Sequence, residues 1–374
     1  MKIERLSVKH LGVIACLLVA LALAGMWSVH AAGPEPFMEV AGDSDVDAAS
    51  LRAAIDPLFE DDSMGETRAL VVMHDGEIVA ERYAPGFGPQ TKLLSWSIGK
   101  SVTAVLVGLM VADGRLALDS PVPVPAWSQP GDPRGQITLR QLLSMTSGLD
   151  HVEDAEPIAR ADTIRMLFTD GAQDMSRFAE AKPLATRPGA RFSYSTGSTL
   201  ILSDLMTRML TNSSDPQVRR RAMQMFVDGR LKVPAQLSSL TPEYDAAGTM
   251  IGGSFLHMTA RDYARFGELL RNRGRGIAGH QIVPEKWIDY MRRPSSRNAA
   301  YGAHLWLNKD SEESALMPGR APASLFGCVG HGGQYILVSP AQRLTVVRLG
   351  KSATKEERAA LKDGLAKLIG LYPR

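Results

Sequence analysis

The chain has 374 residues, with 42 Lys and Arg against 40 Asp and Glu, and is 45% hydrophobic and 22% charged. That is an ordinary soluble globular composition with material for a sizeable core, and it excludes nucleic acid and anionic membrane as charge-driven partners.

Lys2, Arg5 and Lys9 precede an apolar run from Leu11 to Trp27, and Val29-His30-Ala31 offers small residues where a signal peptidase reads. Residues 1–31 are therefore expected to be a secretory signal, or an anchor if uncleaved, and the protein to be periplasmic or extracellular. Val13-Ile14-Ala15-Cys16 resembles a lipoprotein box only superficially, because most of the apolar core follows it. Cys16 would leave with the leader, so no internal disulfide is expected, and Cys328, among apolar and glycine neighbours, reads as a structural thiol.

Residues 32–64 read as a lead-in, polar and loosely held at 32–50. Ala69 to Met73 and Glu77 to Tyr83 are β-prone runs around Asp75-Gly76, a hairpin signal. Ser97-Ile98-Gly99-Lys100 opens onto a run, Ser101 to Ala112, that is apolar nearly all round, as a helix buried through a domain would be, and Asp113-Gly114 ends it. Prolines and glycines between Ser120 and Gly135 mark a surface excursion. Helices are expected over Thr138–Met145, Thr163–Phe168, Ser198–Leu210, Pro216–Met225, Thr259–Leu270 and after Pro284; Arg219-Arg220-Arg221 reads as a solvated helix face. After about residue 299 the pattern turns to period two, with strands expected at Tyr301–Leu307, Gln334–Val338 and Leu344–Leu349 and a closing amphipathic helix over Lys355–Leu371. Strands at both ends around a helical middle predict an α+β fold. Its antiparallel sheet is built from 65–96 and 297–374, with a helical lobe at 97–296.

Ser97 and Lys100 fall on one face of the first turn of the buried helix, and a hydroxyl becomes a nucleophile when a neighbouring base takes its proton. Read alone, Ser97 is equally an N-cap. Gly99-Lys100-Ser101 imitates the end of a phosphate-binding loop, but that motif requires glycine where Leu94 stands. Neither a His-Glu-x-x-His pair nor a Gly-x-Ser-x-Gly elbow occurs, so no metal and no α/β-hydrolase site is expected, and His151-Val152-Glu153 is too slight for a metal site.

Three stretches recur in a known order: Ser97-Ile98-Gly99-Lys100, Tyr194-Ser195-Thr196 and His331-Gly332-Gly333-Gln334. With Ile137–Leu149, Thr259–Phe266 and Tyr301–Trp306, the chain from about residue 65 resembles the serine β-lactamase and penicillin-binding-protein superfamily. The likeness is to its class C-related branch of esterases and 6-aminohexanoate-dimer hydrolases. The resemblance implies a β-lactamase/transpeptidase-like domain over 65–374 with no cofactor. Ser97 would be the acylated nucleophile, Lys100 part of the base network, and Tyr194 the acid/base whose pKa the Lys100 cation must lower. The third motif would lie on an edge strand facing the pocket, with His331, Gly332 and Gly333 against substrate and the Gln334 amide joining that of Ser97 in an oxyanion hole.

Two departures shape the expected substrate. His331 replaces the lysine that holds a carboxylate in penicillin-recognising enzymes, and Thr196 replaces a common Asn. The expectation is a serine hydrolase for a carboxylic ester or small linear amide. The alternatives are a β-lactamase or D-Ala-D-Ala carboxypeptidase, and a non-catalytic scaffold with the same fold.

Overall fold

The structure, a computed structural model, describes residues 37–373; the expected leader at 1–31 lies outside them. The described chain opens with strand β1 (Phe37–Val40) and helix α1 (Ala48–Glu60). The expected hairpin follows, β2 (Glu66–His74) pairing antiparallel with β3 (Glu77–Tyr83), and β1 adds to the outer side of β3. Residues 37–60 are thus built into the fold, where the sequence suggests only a lead-in. Asp47 caps α1 by accepting from Ser50 N, and Leu51, Ile55 and Leu58 fall on one buried face. The strand carries a weak sequence signal because an edge strand needs few apolar side chains.

Strand β4 (Lys92–Leu94) leads into helix α2 (Ile98–Ala112), and the middle of the chain carries α3 (Leu139–Leu143), α4 (Asp162–Phe168), α5 (Met175–Glu180), α6 (Thr196–Leu210) and α7 (Pro216–Val227). Next come β5 (Thr241–Pro242), β6 (Leu256–Thr259), α8 (Ala260–Arg271) and α9 (Glu285–Met291). The chain closes with β7 (Trp306–Leu307), β8 (Phe326–Gly330), β9 (Gln334–Ser339), β10 (Leu344–Lys351) and α10 (Lys355–Gly370).

Seven strands form one antiparallel sheet in the order β1-β3-β2-β10-β9-β8-β7, and β4-β6-β5 form a small second one. The fold is therefore the α+β arrangement expected, its main sheet drawn from both ends of the chain. Alternate residues feed two cores. Leu70, Val72, Leu337 and Val346 pack with helices α1 and α10 through Ile55, Leu58, Leu361 and Leu365. Val71, Ile336, Val347 and Leu349 pack on the other side with the helical region. Covering both faces explains why β9 is buried along its whole length and reads as an apolar run.

Helix α2 is buried without interruption from Ile98 to Met110 and touches α6, α9, β8 and β9. At its far end the backbone turns at Gly114, whose N–H bonds to Val111 O while Arg115 N bonds to Met110 O. Burying each of its Val and Leu side chains contributes about 1.5–3 kcal/mol, so the helix is a fixed mount for whatever stands at its N-terminus.

Three local expectations are corrected. The strand expected over Tyr301–Leu307 shrinks to β7, since the residues before it form a turn in which Tyr301 only bridges to Trp306. His331-Gly332-Gly333 is not on an edge strand; it is the turn joining β8 to β9, made by two successive glycines at φ +71° and +81°. Arg219 is not on a solvated face, because its guanidinium is drawn inward to the buried carboxylate of Asp204.

Candidate active site

The approach to Ser97 is locked on both sides. Ser95 N donates to Leu256 O at 2.8 Å, and Ser95 Oγ donates to Ser254 O at 3.0 Å. Trp96 then takes φ +45°, a left-handed conformation that costs a bulky residue on the order of 1–3 kcal/mol. Ser97 occupies the N-cap position of α2, yet its hydroxyl makes no capping bond. The structural alternative for this serine therefore does not hold. Gly99 is required on this first turn, because a Cβ there would stand 2.8 Å from Gly252 O.

Lys100 Nζ donates to three acceptors: Ser97 Oγ at 2.9 Å, Thr196 Oγ1 at 2.8 Å and Gly253 O at 3.0 Å. Lys100 is 1% exposed, and burial lowers its pKa to about 8, against the opposing pull of the Glu153 charge. A lysine so placed exchanges its proton near neutral pH.

Tyr194 precedes α6, in a segment held by Ser193 N to Met145 O at 2.8 Å and by Ser195 Oγ capping Ser198 N at 3.1 Å. Its ring stacks on Trp306 with centroids 5.7 Å apart, meets Tyr301 edge-on, and lies 5.1 Å from Lys100 Nζ. Burial pushes the phenol well above its ordinary value, the charges of Glu153 and Asp154 push the same way, and only the Ser97 side chain draws it down. The expectation that Lys100 would lower this pKa is not met: burial and the two carboxylates raise it, leaving Tyr194 a protonated phenol.

A carboxylate stands behind the lysine. Glu153 accepts from Thr196 Oγ1 through Oε1 and from Thr196 N through Oε2, both at 2.6 Å, and His151 Nε2 lies 3.2 Å from Oε2. Burial opposes the charge of Glu153, but the His151 hydrogen bond, Lys100 and Thr196 together hold its pKa at about 2. Glu153 was named in the sequence only within His151-Val152-Glu153, as too slight for a metal site; Gly253 was not singled out, and Thr196 was noted only within the second motif and as a replacement for Asn. The signal available was Glu153 itself, a carboxylate shortly after Thr146-Ser147-Gly148, together with the glycines of 248–253.

The third motif forms the opposite wall. The exposed His331 ring lies 5.3 Å from the Trp96 ring, and Trp96 in turn contacts Phe255. The β8 backbone reaches the approach to Ser97 at Gly330, where a Cβ would stand 2.6 Å from Ser95 O. Gln334 faces away from it: its Nε2 donates to Gly350 O at 2.6 Å and His331 O at 2.9 Å, and its Oε1 accepts from Gly350 N. Among the described residues, the amides of Ser97 and His331 donate to no protein acceptor. Gly332 and Gly333 are enclosed, their conformation serving the turn.

A cleft of about 430 Å³ opens beside Tyr194, bounded by His151, Glu153, Asp154, Arg191 and Glu313. Larger hollows of about 640 and 520 Å³ lie around α7 and hold none of the residues just described, so size does not mark the site. No grouping of His, Cys, Asp and Glu among the described residues suits a metal ion, and no helix among them is long and apolar enough to cross a membrane. Cys328 is buried, and burial raises its pKa to about 12, which makes it inert.

This chain is similar to a 6-aminohexanoate-dimer hydrolase of Paenarthrobacter ureafaciens, 25% identical over 62% of this chain and 59% of the relative. It is 32% identical to the esterase EstB of Burkholderia gladioli over 40% of this chain and 43% of that protein. The matches thus span about half the length of these relatives. In three dimensions it resembles a 6-aminohexanoate-dimer hydrolase homologue from Bacillus anthracis, with a TM-score of 0.64 at 22% identity over 82% of this chain and 81% of that one. The beta-lactamase family profile matches residues 59–371, so the chain belongs to the beta-lactamase family.

Proposed function

We propose that this protein is a serine hydrolase that cleaves a carboxylic ester or small linear amide through an acyl-enzyme on Ser97. The observation that carries the reading is the buried Lys100 Nζ, 2.9 Å from Ser97 Oγ and with its pKa lowered to about 8. The names of the distant relatives, an esterase and a 6-aminohexanoate-dimer hydrolase, support the substrate class.

In this mechanism neutral Lys100 takes the Ser97 proton as Oγ bonds to the substrate carbonyl carbon. The carbonyl oxygen becomes an oxyanion, held by the Ser97 amide at the positive end of α2 and by an amide of the β8–β9 turn. The turn amide assigned is that of His331, which adjoins the Gly330 contact with Ser95; the Gln334 amide expected from the sequence is the alternative within the same turn. Collapse expels the leaving group, which takes a proton from Tyr194, and the Lys100 ammonium reprotonates the phenol. Water repeats the sequence on the acyl-enzyme, with Ser97 leaving. Each amide donor is worth on the order of 3 kcal/mol in the transition state. Catalysis is proposed to occur after export, as the leader predicts.

Labelling with an active-site fluorophosphonate, followed by peptide mass analysis, tests the reading. A covalent adduct on Ser97, absent in Ser97→Ala, is the expected result. Wild-type protein left unlabelled would instead support a scaffold.

A further inference from the structure

We propose that Glu153 is a positioning residue that fixes the direction of the hydrogen-bond chain through Thr196, so that the only free valence of Lys100 points at Ser97. This rests on the reading of Ser97 as nucleophile and Lys100 as base.

Donor and acceptor counts alone dictate the direction. An ionised carboxylate only accepts. Thr196 Oγ1 must therefore place its single hydrogen toward Glu153 Oε1, at 2.6 Å, and turn its lone pairs toward Lys100 Nζ, at 2.8 Å. Gly253 O, at 3.0 Å from the same nitrogen, also only accepts. Two of the three outward positions on Nζ are thus hydrogens in either protonation state. When Lys100 is neutral, its lone pair falls at the third position, 2.9 Å from Ser97 Oγ. The second oxygen of Glu153 is committed to Thr196 N, at 2.6 Å, which stops the carboxylate from rotating out of line. His151 Nε2 lies 3.2 Å from that oxygen and 3.1 Å from Thr163 Oγ1, and the ring hydrogen is assigned to Nε2 from the network, since the buried Nδ1 has no partner.

Glutamine at 153 would break this logic while keeping the shape. Thr196 N needs the amide oxygen, so the amide NH2 faces Thr196 Oγ1 and donates to it. The threonine hydrogen then turns toward Lys100 and occupies the lone pair meant for Ser97. The charged and titratable groups facing Lys100 are Glu153 from the 150–154 segment, Tyr194 before α6, and His304 from the turn before β7, whose pKa burial and the Lys100 charge lower to about 3. Of these, Glu153 holds the ammonium form in place. Removing its charge lowers the pKa of Lys100, so the neutral base is reached at lower pH.

The test is the rate of fluorophosphonate labelling against pH for wild type, Glu153→Gln, Thr196→Val and Thr196→Ser. Labelled wild type establishes the nucleophile independently. In Glu153→Gln the plateau rate should fall 10- to 100-fold while the acidic limb moves to lower pH. Thr196→Val should lose a similar factor, and Thr196→Ser should recover most of it because the hydroxyl is restored. A merely structural role would lower the labelled fraction without moving the limb. Equal rates and equal limbs in wild type and Glu153→Gln would overturn the proposal, as would equal loss in the valine and serine variants. If Glu153→Gln does not fold, the Thr196 pair decides.

Discussion

Ser97 Oγ receives a hydrogen bond from Lys100 Nζ at 2.9 Å, one helical turn apart on α2, and both groups sit on the most completely buried helix of the fold's centre. Lys100→Met should separate the two jobs of that lysine. Its ammonium is buried without a directly paired carboxylate, an arrangement that costs stability in a low-dielectric interior. Replacing it with an apolar chain of similar length removes that cost but also the hydrogen bond to Gly253 O and the cation that offsets the buried Glu153 charge, so the thermal midpoint should fall, while ester turnover falls at least about 1,000-fold, an effect of roughly 4 kcal/mol on the barrier. Paired melting and p-nitrophenyl acetate assays check this.

The pH profile follows from the two shifted groups. Lys100 acts as base only when neutral, and its pKa is lowered to about 8, so kcat/KM should climb as pH rises through that value and level above it. Tyr194 stays protonated throughout the assay range, since burial raises its pKa. Tyr194→Phe should accordingly depress the rate about 100-fold on an amide, whose leaving group needs a proton, and less on a p-nitrophenyl ester, while the acidic limb stays in place.

The spacing of the proposed nucleophile and base was legible in the sequence because it is local. Ser97 and Lys100 share a helical turn, and the run from Val102 to Val111 advertises burial. The sheet was legible from period two and from Asp75-Gly76. Glu153 was not, because its meaning comes from Thr196, 43 residues away, across a chain reversal that no periodicity records. Gly253 contributes only a backbone carbonyl, which any residue type carries, and the direction in which Tyr194 titrates depends on burial and on carboxylates from another segment. The resemblance placed His331-Gly332-Gly333 on an edge strand, and the local sequence did not correct it, because glycine pairs serve both close approach and left-handed turns.

Substrate preference should follow the placement of His331. The ring is exposed at the rim against Trp96, where it is a poor clamp for a carboxylate. Comparing a chromogenic cephalosporin with a short-chain p-nitrophenyl ester should give kcat/KM at least 100-fold higher for the ester. His331→Ala should change ester turnover by less than about tenfold, because its side chain donates nothing to the proposed oxyanion and the backbone amide remains. Efficient cephalosporin turnover would reverse this assignment.

Arg348 should prove to be the residue on which the third motif depends. It is fully buried in β10, with no carboxylate bonded to it; its guanidinium instead serves backbone and hydroxyl acceptors. Nε donates to Thr67 Oγ1 at 2.9 Å, Nη1 to Gly333 O at 2.9 Å, and Nη2 to Glu66 O at 2.8 Å and Ser352 Oγ at 3.1 Å. Burial lowers its pKa to about 10, so it remains charged at neutral pH. One planar fork thereby ties the turn behind His331 to β2 and to the end of β10. Arg348→Met would leave those acceptors buried and unmatched, a loss of roughly 3–5 kcal/mol. Arg348→Lys should not restore it, because a single tetrahedral ammonium cannot span acceptors on three sides. Denaturant unfolding of the two variants should show similarly lowered midpoints. Activity should fall more steeply than the folded fraction, since the turn that loosens carries the His331 amide. A lysine variant with wild-type stability and turnover would show that charge alone, and not the guanidinium fork, holds this wall of the site.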